Sequence, residues 1–260
     1  MSSKLDPKQK AQRTNAAKVI TGMGASTAFF VITLFYTMGV FFNALSSGAS
    51  YFGLYSGFMG RPAGITDLTG DAILLQAGLW LLALIPSILI CAGLWTLCFR
   101  AREPNGSLNG PLFLIKGAVI AQFCLIFLLI LVMQGALIAS LSFINIERFA
   151  LSGRLAAGLS QAVIGGVILL IAGMAAALVF YFINILKTVN MAISTLQTGQ
   201  RWGDVPTPLI VMNYLFAAVN FISAGFEISR GNAASAVSAI CTAAFLAGLS
   251  ASLSAVRRGL

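Results

Sequence analysis

The chain has 260 residues, of which 58% are hydrophobic and only 9% charged, and its mean hydropathy is +0.93. A soluble domain carries about 25% charged residues, so a chain this apolar has too little polar surface to face water alone, and lipid must be part of its solvent. The formal charge of +9 would suggest nucleic acid in a soluble protein, but here the positive residues follow a membrane topology; histidine is absent, which removes the commonest metal ligand and the side chain that titrates near neutral pH.

Residues 1–18 read as a basic, polar cytoplasmic tail, a solvated orientation signal with few apolar groups to insert into lipid. Residues 19–260 read as a single transmembrane helical domain, because six stretches free of charge are long enough to span. Trimming their polar ends predicts helices over 19–45, 72–99, 112–144, 158–186, 209–226 and 233–253. The fold class expected is therefore an all-α integral membrane protein, a bundle of about six transmembrane helices.

Between the first two spans, Ser46 to Asp71 reads as the longest loop, rich in Gly and aromatic residues and suited to an outer membrane interface. Pro86 falls within the second span, where it removes a backbone donor and should kink the helix. Glu103-Pro104-Asn105-Gly106 and Asn109-Gly110-Pro111 mark a short turn before the third span. Small residues at Gly158, Ala162, Gly165, Ala172 and Gly173 predict a close-packing face on the fourth span.

After the fourth span no breaker appears until Gly199, so the helix is expected to continue past Lys187 into the cytoplasm and stop there. Lys187, Arg201 and Trp202 are candidates for an interface anchor or for docking a partner such as a cytoplasmic ATPase. The fifth span carries Asn213, Asn220 and Glu227 at seven-residue intervals; seven residues make nearly two helical turns, so the three share one face, with Ala217 and Ala224 between them. Polar groups at membrane depth tend to face the bundle interior, which makes this stripe the candidate substrate path; the competing reading is that the asparagines hold helices together. Val211, Leu215, Ile222 and Phe226 occupy the opposite face. The sixth span is dominated by Ala, Ser and Gly, so it is expected to be buried among other helices or at a subunit contact.

With the N-terminus placed in the cytoplasm, twelve Lys and Arg residues fall inside and only Arg61, Arg148, Arg154 and Arg230 outside. By the positive-inside rule both termini are then cytoplasmic, as in a multi-pass protein of a bacterial inner or plasma membrane.

No catalytic residue, metal site or cofactor is assigned. There is no H-E-x-x-H pair, no intramembrane Asp or Lys, no phosphate-binding loop and no C-x-x-C pair; Cys91, Cys98, Cys124 and Cys241 all sit in apolar runs. An enzyme is not expected. The leading expectation is a membrane-embedded transport component, permease-like and without its own ATPase; the alternative is a non-transporting structural or accessory protein. The partners expected are the lipid bilayer, with a cytoplasmic ATPase or a second copy as candidates, and no nucleic acid.

Overall fold

The computed structural model describes residues 17–59, 66–103, 106–143, 153–199 and 203–259. Among them seven helices and no strand occur: α1 (residues 17–25), α2 (Thr27–Met59), α3 (Thr66–Arg102), α4 (Asn109–Phe143), α5 (Gly153–Thr198), α6 (Thr207–Ser229) and α7 (Ala233–Gly259). Helices α2 to α7 each contain a segment long and apolar enough to cross a membrane, six candidate spans in all. In hydrocarbon every backbone N–H and C=O must be satisfied within the chain, which is why such sequences fold as helices.

The expected loop from Ser46 to Asp71 is largely helical: α2 continues to Met59 and α3 begins at Thr66. Its glycines suggested a turn, but glycine is well tolerated in membrane helices. Arg61-Pro62, the basic tail up to residue 16 and Arg148 lie outside the described residues. Helix α3 is continuous on both sides of Pro86. Helix α5 runs 46 residues, about 69 Å at ~1.5 Å per residue, more than twice a ~30 Å hydrocarbon core. It ends where the sequence places the stop, with Gly199 at φ +68 and its N–H donating to the Thr195 carbonyl at 2.8 Å.

The chain divides into two compact units, Met1–Val119 with Asn184–Leu260, and Ile120–Ile183. In the first, α7 packs against both α6 and α2, and α2 against α3. The α2–α7 contact is close because side chains are missing where the helices meet. A Cβ built on Gly248 would lie 2.7 Å from Ile32 Cγ1, and one on Gly39 would lie 3.2 Å from Thr242 Oγ1. Ser238 Oγ donates to the Gly39 carbonyl at 3.0 Å, the Ser46 and Ser235 hydroxyls pair, and the Tyr36 and Phe245 rings lie 4.7 Å apart. These pairings run in opposite directions along the two helices, so α2 and α7 are antiparallel.

Helices α6 and α7 form a tight antiparallel hairpin whose turn is written in the backbone. Gly231 has φ +74, the Asn232 N–H donates to the Glu227 carbonyl at 2.9 Å and the Gly231 N–H to that of Ile228 at 3.0 Å. This is the Schellman pattern, which needs a residue at ease in the left-handed region. Asn232 Oδ1 then accepts from the Ser235 N–H at 3.4 Å and so caps the start of α7.

Helix α1 is set off from α2 at Ser26, whose Oγ accepts from the Phe29 N–H at 3.1 Å as the N-cap of α2. The second unit, Ile120–Ile183, takes in the C-terminal part of α4 and the N-terminal part of α5. Within it the Phe123 and Phe182 rings lie 5.0 Å apart. The small-residue face expected to pack on α5 finds no neighbour among the described residues: a Cβ on Gly165 or Gly173 would meet nothing within 4 Å, and Ala172 is exposed.

Filling the α2–α7 contact should be costly in a way that helix propensity alone is not. Gly248→Val is expected to destabilise by about 1–3 kcal/mol through overpacking against Ile32, whereas Gly225→Ala, whose Cβ would meet nothing within 4 Å, should be neutral or slightly stabilising. Thermal unfolding of both variants in the same detergent checks the contrast.

Candidate functional site

The α6 face singled out from the sequence is the face turned to α7. Asn213, Ala217 and Ala224 are buried, Asn220 and Glu227 are half-buried, and Val211, Leu215, Ile222 and Phe226 on the opposite side are exposed. Ala217 packs with Ala243 and Leu246 of α7, and the rings of Phe216 and Phe245 lie against the same cluster. Small side chains at every second turn let the two helices lie flush.

The three polar residues share this face but do different things. Asn213 is wholly buried. Asn220 Nδ2 donates to the Phe216 carbonyl of its own helix at 2.8 Å, so its amide is folded back along α6. Glu227 carries an ion pair to Arg230 at 3.7 Å, one turn on, at the hairpin end. Fourteen residues separate Asn213 from Glu227, about 21 Å along the helix axis, so the stripe is a line of separate contacts and not one cluster.

What the sequence reading missed is a polar layer that crosses helices. Thr33, Asn213 and Ser250 are each at 0% exposure. Ser250 Oγ donates to the Ile210 carbonyl of α6 at 3.3 Å, and Thr33 Oγ1 lies 3.4 Å from Cys98 Sγ of α3. The antiparallel registers, Ile210 beside Ser250 and Ile32 beside Gly248, bring Asn213 of α6 and Thr33 of α2 to within about one turn of the same level against α7. About one helical turn farther along α2, Trp95 Nε1 donates to Thr37 Oγ1 at 2.9 Å, joining α2 to α3 again. Single Thr and Ser residues in apolar runs gave no sign of this, because their partners come from distant parts of the chain. The hydroxyl of Thr195 on α5 is also wholly buried, with no hydrogen-bond partner among the described residues.

Of the candidate anchor or docking residues, Lys187 is exposed on α5, while Arg201 and Trp202 lie outside the described residues. Beyond them Gly203 has φ +105, Val205 is buried, and Pro206 leads into α6 as its N-cap residue. The four cysteines are free thiols, and no group of three or more Cys, Asp or Glu side chains that would hold a metal ion occurs among the described residues.

Comparison with family models, with curated proteins and with solved structures returns no match.

The different settings of the two asparagines separate their substitutions. Asn213→Ala, which opens a cavity and removes a wholly buried amide, should lower stability by about 1–2 kcal/mol. Asn220→Ala, which loses a bond to its own helix, should change it by less than about 0.5 kcal/mol. Equal losses in detergent unfolding would show that the two amides do the same job.

Proposed function

We propose that the chain is a multi-pass protein of a cell membrane, a bacterial inner or plasma membrane, inserted with both termini in the cytoplasm and acting as a non-enzymatic structural or accessory component. One observation carries the accessory reading: the α6 face bearing Asn213, Ala217 and Ala224 lies flush on α7. A polar stripe used in this way holds helices together. The short reach of the other polar side chains agrees, since Ser238 and Ser250 bond across to neighbouring helices and Asn220 bonds within its own. Such contacts are worth about 0.6 kcal/mol on average in membranes, enough to fix register without adding chemistry.

The orientation is supported by the distribution of basic residues along the sequence and by the way the helices gather them. Arg102 at the end of α3 reaches Ala25 at the end of α1, just before α2, and Arg257 at the end of α7 reaches Thr207 at the start of α6. Because α2 and α7 are antiparallel, these ends lie together, and Arg230 lies at the opposite end of α6. A positive end of this kind is retained in the cytoplasm.

A second reading has its own support. Asn213, Thr33 and Ser250 put three wholly buried polar side chains near one level of the bundle, as a membrane-embedded transport component without its own ATPase would need at a narrow point. In that case Asn213, Asn220 and Glu227 belong to the path, and the stretch from Lys187 onward docks a cytoplasmic ATPase.

Both parts are open to test. A fluorescent-protein fusion at the C-terminus should be bright, and an alkaline-phosphatase fusion in the turn at Gly231 should be active; the reverse pattern would invert the topology. Asn213→Leu and Asn220→Leu should shift unfolding without altering solute accumulation in cells. Loss of a specific solute flux from a variant that remains folded would move the assignment to transport.

A further inference from the structure

The basic end holds a feature that neither reading of function uses. Lys18, Arg100, Arg102, Arg257 and Arg258 are all exposed there. Three of the guanidinium groups are each steadied through one nitrogen: Arg102 Nε to the Ala25 carbonyl at 3.4 Å, Arg257 Nη1 to Thr207 Oγ1 at 2.6 Å, and Arg258 Nε to the Ser254 carbonyl at 3.4 Å. Arg102 is held a second time, with its guanidinium carbon 5.1 Å from the centre of the Phe30 ring. Arg102 is exposed, and Nε is the nitrogen through which it bonds to the described residues, which leaves its Nη donors available.

A group of aromatic rings adjoins this cation on α2 and α3. Phe30 meets Trp95 edge to face at 5.2 Å, and Trp95 stacks with Phe99 at 5.8 Å. Trp95 is pinned by its bond to Thr37, whereas Phe99 is 55% exposed. The face formed by the start of α2 and the end of α3 thus has an oriented cation beside fixed aromatic rings.

We propose that this face binds one anionic phospholipid, with the headgroup phosphate on the Nη donors of Arg102 and an acyl chain along Phe99 and Trp95. The planar fork of arginine matches a phosphate and is already oriented by the Ala25 carbonyl and the Phe30 ring, so little freedom is lost on binding. A free phosphate would use only the cation and leave the ring wall bare. The additional positive charge of Lys18 and Arg100 at the same end favours a headgroup with net negative charge over a zwitterionic one, whose own ammonium would be repelled. This site goes beyond the accessory and transport readings and stands under either.

The test uses the full chain in lipid nanodiscs. Trp80→Phe and Trp202→Phe leave Trp95 as the sole indole, and its quenching is titrated with chain-brominated phosphatidylglycerol or phosphatidylcholine. Phosphatidylglycerol should occupy the site about tenfold more strongly, a preference worth ~1.4 kcal/mol. Arg102→Gln should bring the ratio close to one, and Phe99→Ala, which leaves the bonds of Arg102 intact, should weaken quenching by both lipids. Without any change at Arg102, raising salt to about 0.5 M should reduce the preference, since exposed charges are screened over a few ångströms. Equal quenching by the two lipids, a preference that survives both Arg102→Gln and salt, or displacement of the lipid by millimolar inorganic phosphate would each overturn the proposal.

Discussion

The bundle rests on the approach of α7 to its two neighbours. Lipid tails are as apolar as leucine, so burial of hydrophobic surface does little to draw helices together inside a membrane; close packing and short hydrogen bonds must do it. Gly248 leaves room for Ile32, Gly39 leaves room for Thr242, and Ala217 packs with Ala243 and Leu246 between α6 and α7. Once the backbones are this near, serine hydroxyls as short as those of Ser238 and Ser250 reach carbonyls on the neighbouring helix. With larger residues at the contact those hydroxyls would have to bond within their own helices, and register between helices would lose its anchors.

The same constraint separates the two kinds of surface on α6. The side toward α7 carries the small and polar residues Asn213, Ala217 and Ala224 beside Leu209 and Ile210, while Val211, Leu215, Ile222 and Phe226 point away and remain exposed. Bulky aliphatic groups fit against disordered acyl chains and small ones fit against a helix, so the face is decided by side-chain size as much as by polarity. The polar positions on the inner side are used as spacers and ties. The ends of the bundle follow a different rule, since there the aliphatic stems of arginine and the rings beside them sit at the boundary between hydrocarbon and water. Arg102 over Phe30 is the clearest case.

Much of the architecture was legible without coordinates. Hydropathy and the absence of charge located six spans, and Gly199 marked the end of α5, because hydrocarbon tolerates few alternatives to a long apolar helix and a left-handed glycine is a local signal. The heptad spacing of Asn213, Asn220 and Glu227 correctly placed them on one face, since helical periodicity is local as well. The segment after Ser46 was misread for a related reason: its glycines carry turn propensities learned in water, and α2 runs on to Met59. The small-residue face of α5 was read as a packing face, yet Gly165 and Gly173 meet no neighbour among the described residues.

The sequence by itself determined that this protein lives in a membrane, how many helices are long enough to cross it, and where the positive charge collects, because each depends on the composition of a single segment. Only the tertiary structure decided which helices touch: that the polar face of α6 lies on α7, that Thr33 meets Cys98, and that Ser250 ties back to Ile210. Those contacts join residues 40 and 65 positions apart in the chain. They follow from antiparallel register and from backbones close enough for a hydroxyl to reach across, and neither is written in the spacing of any one helix.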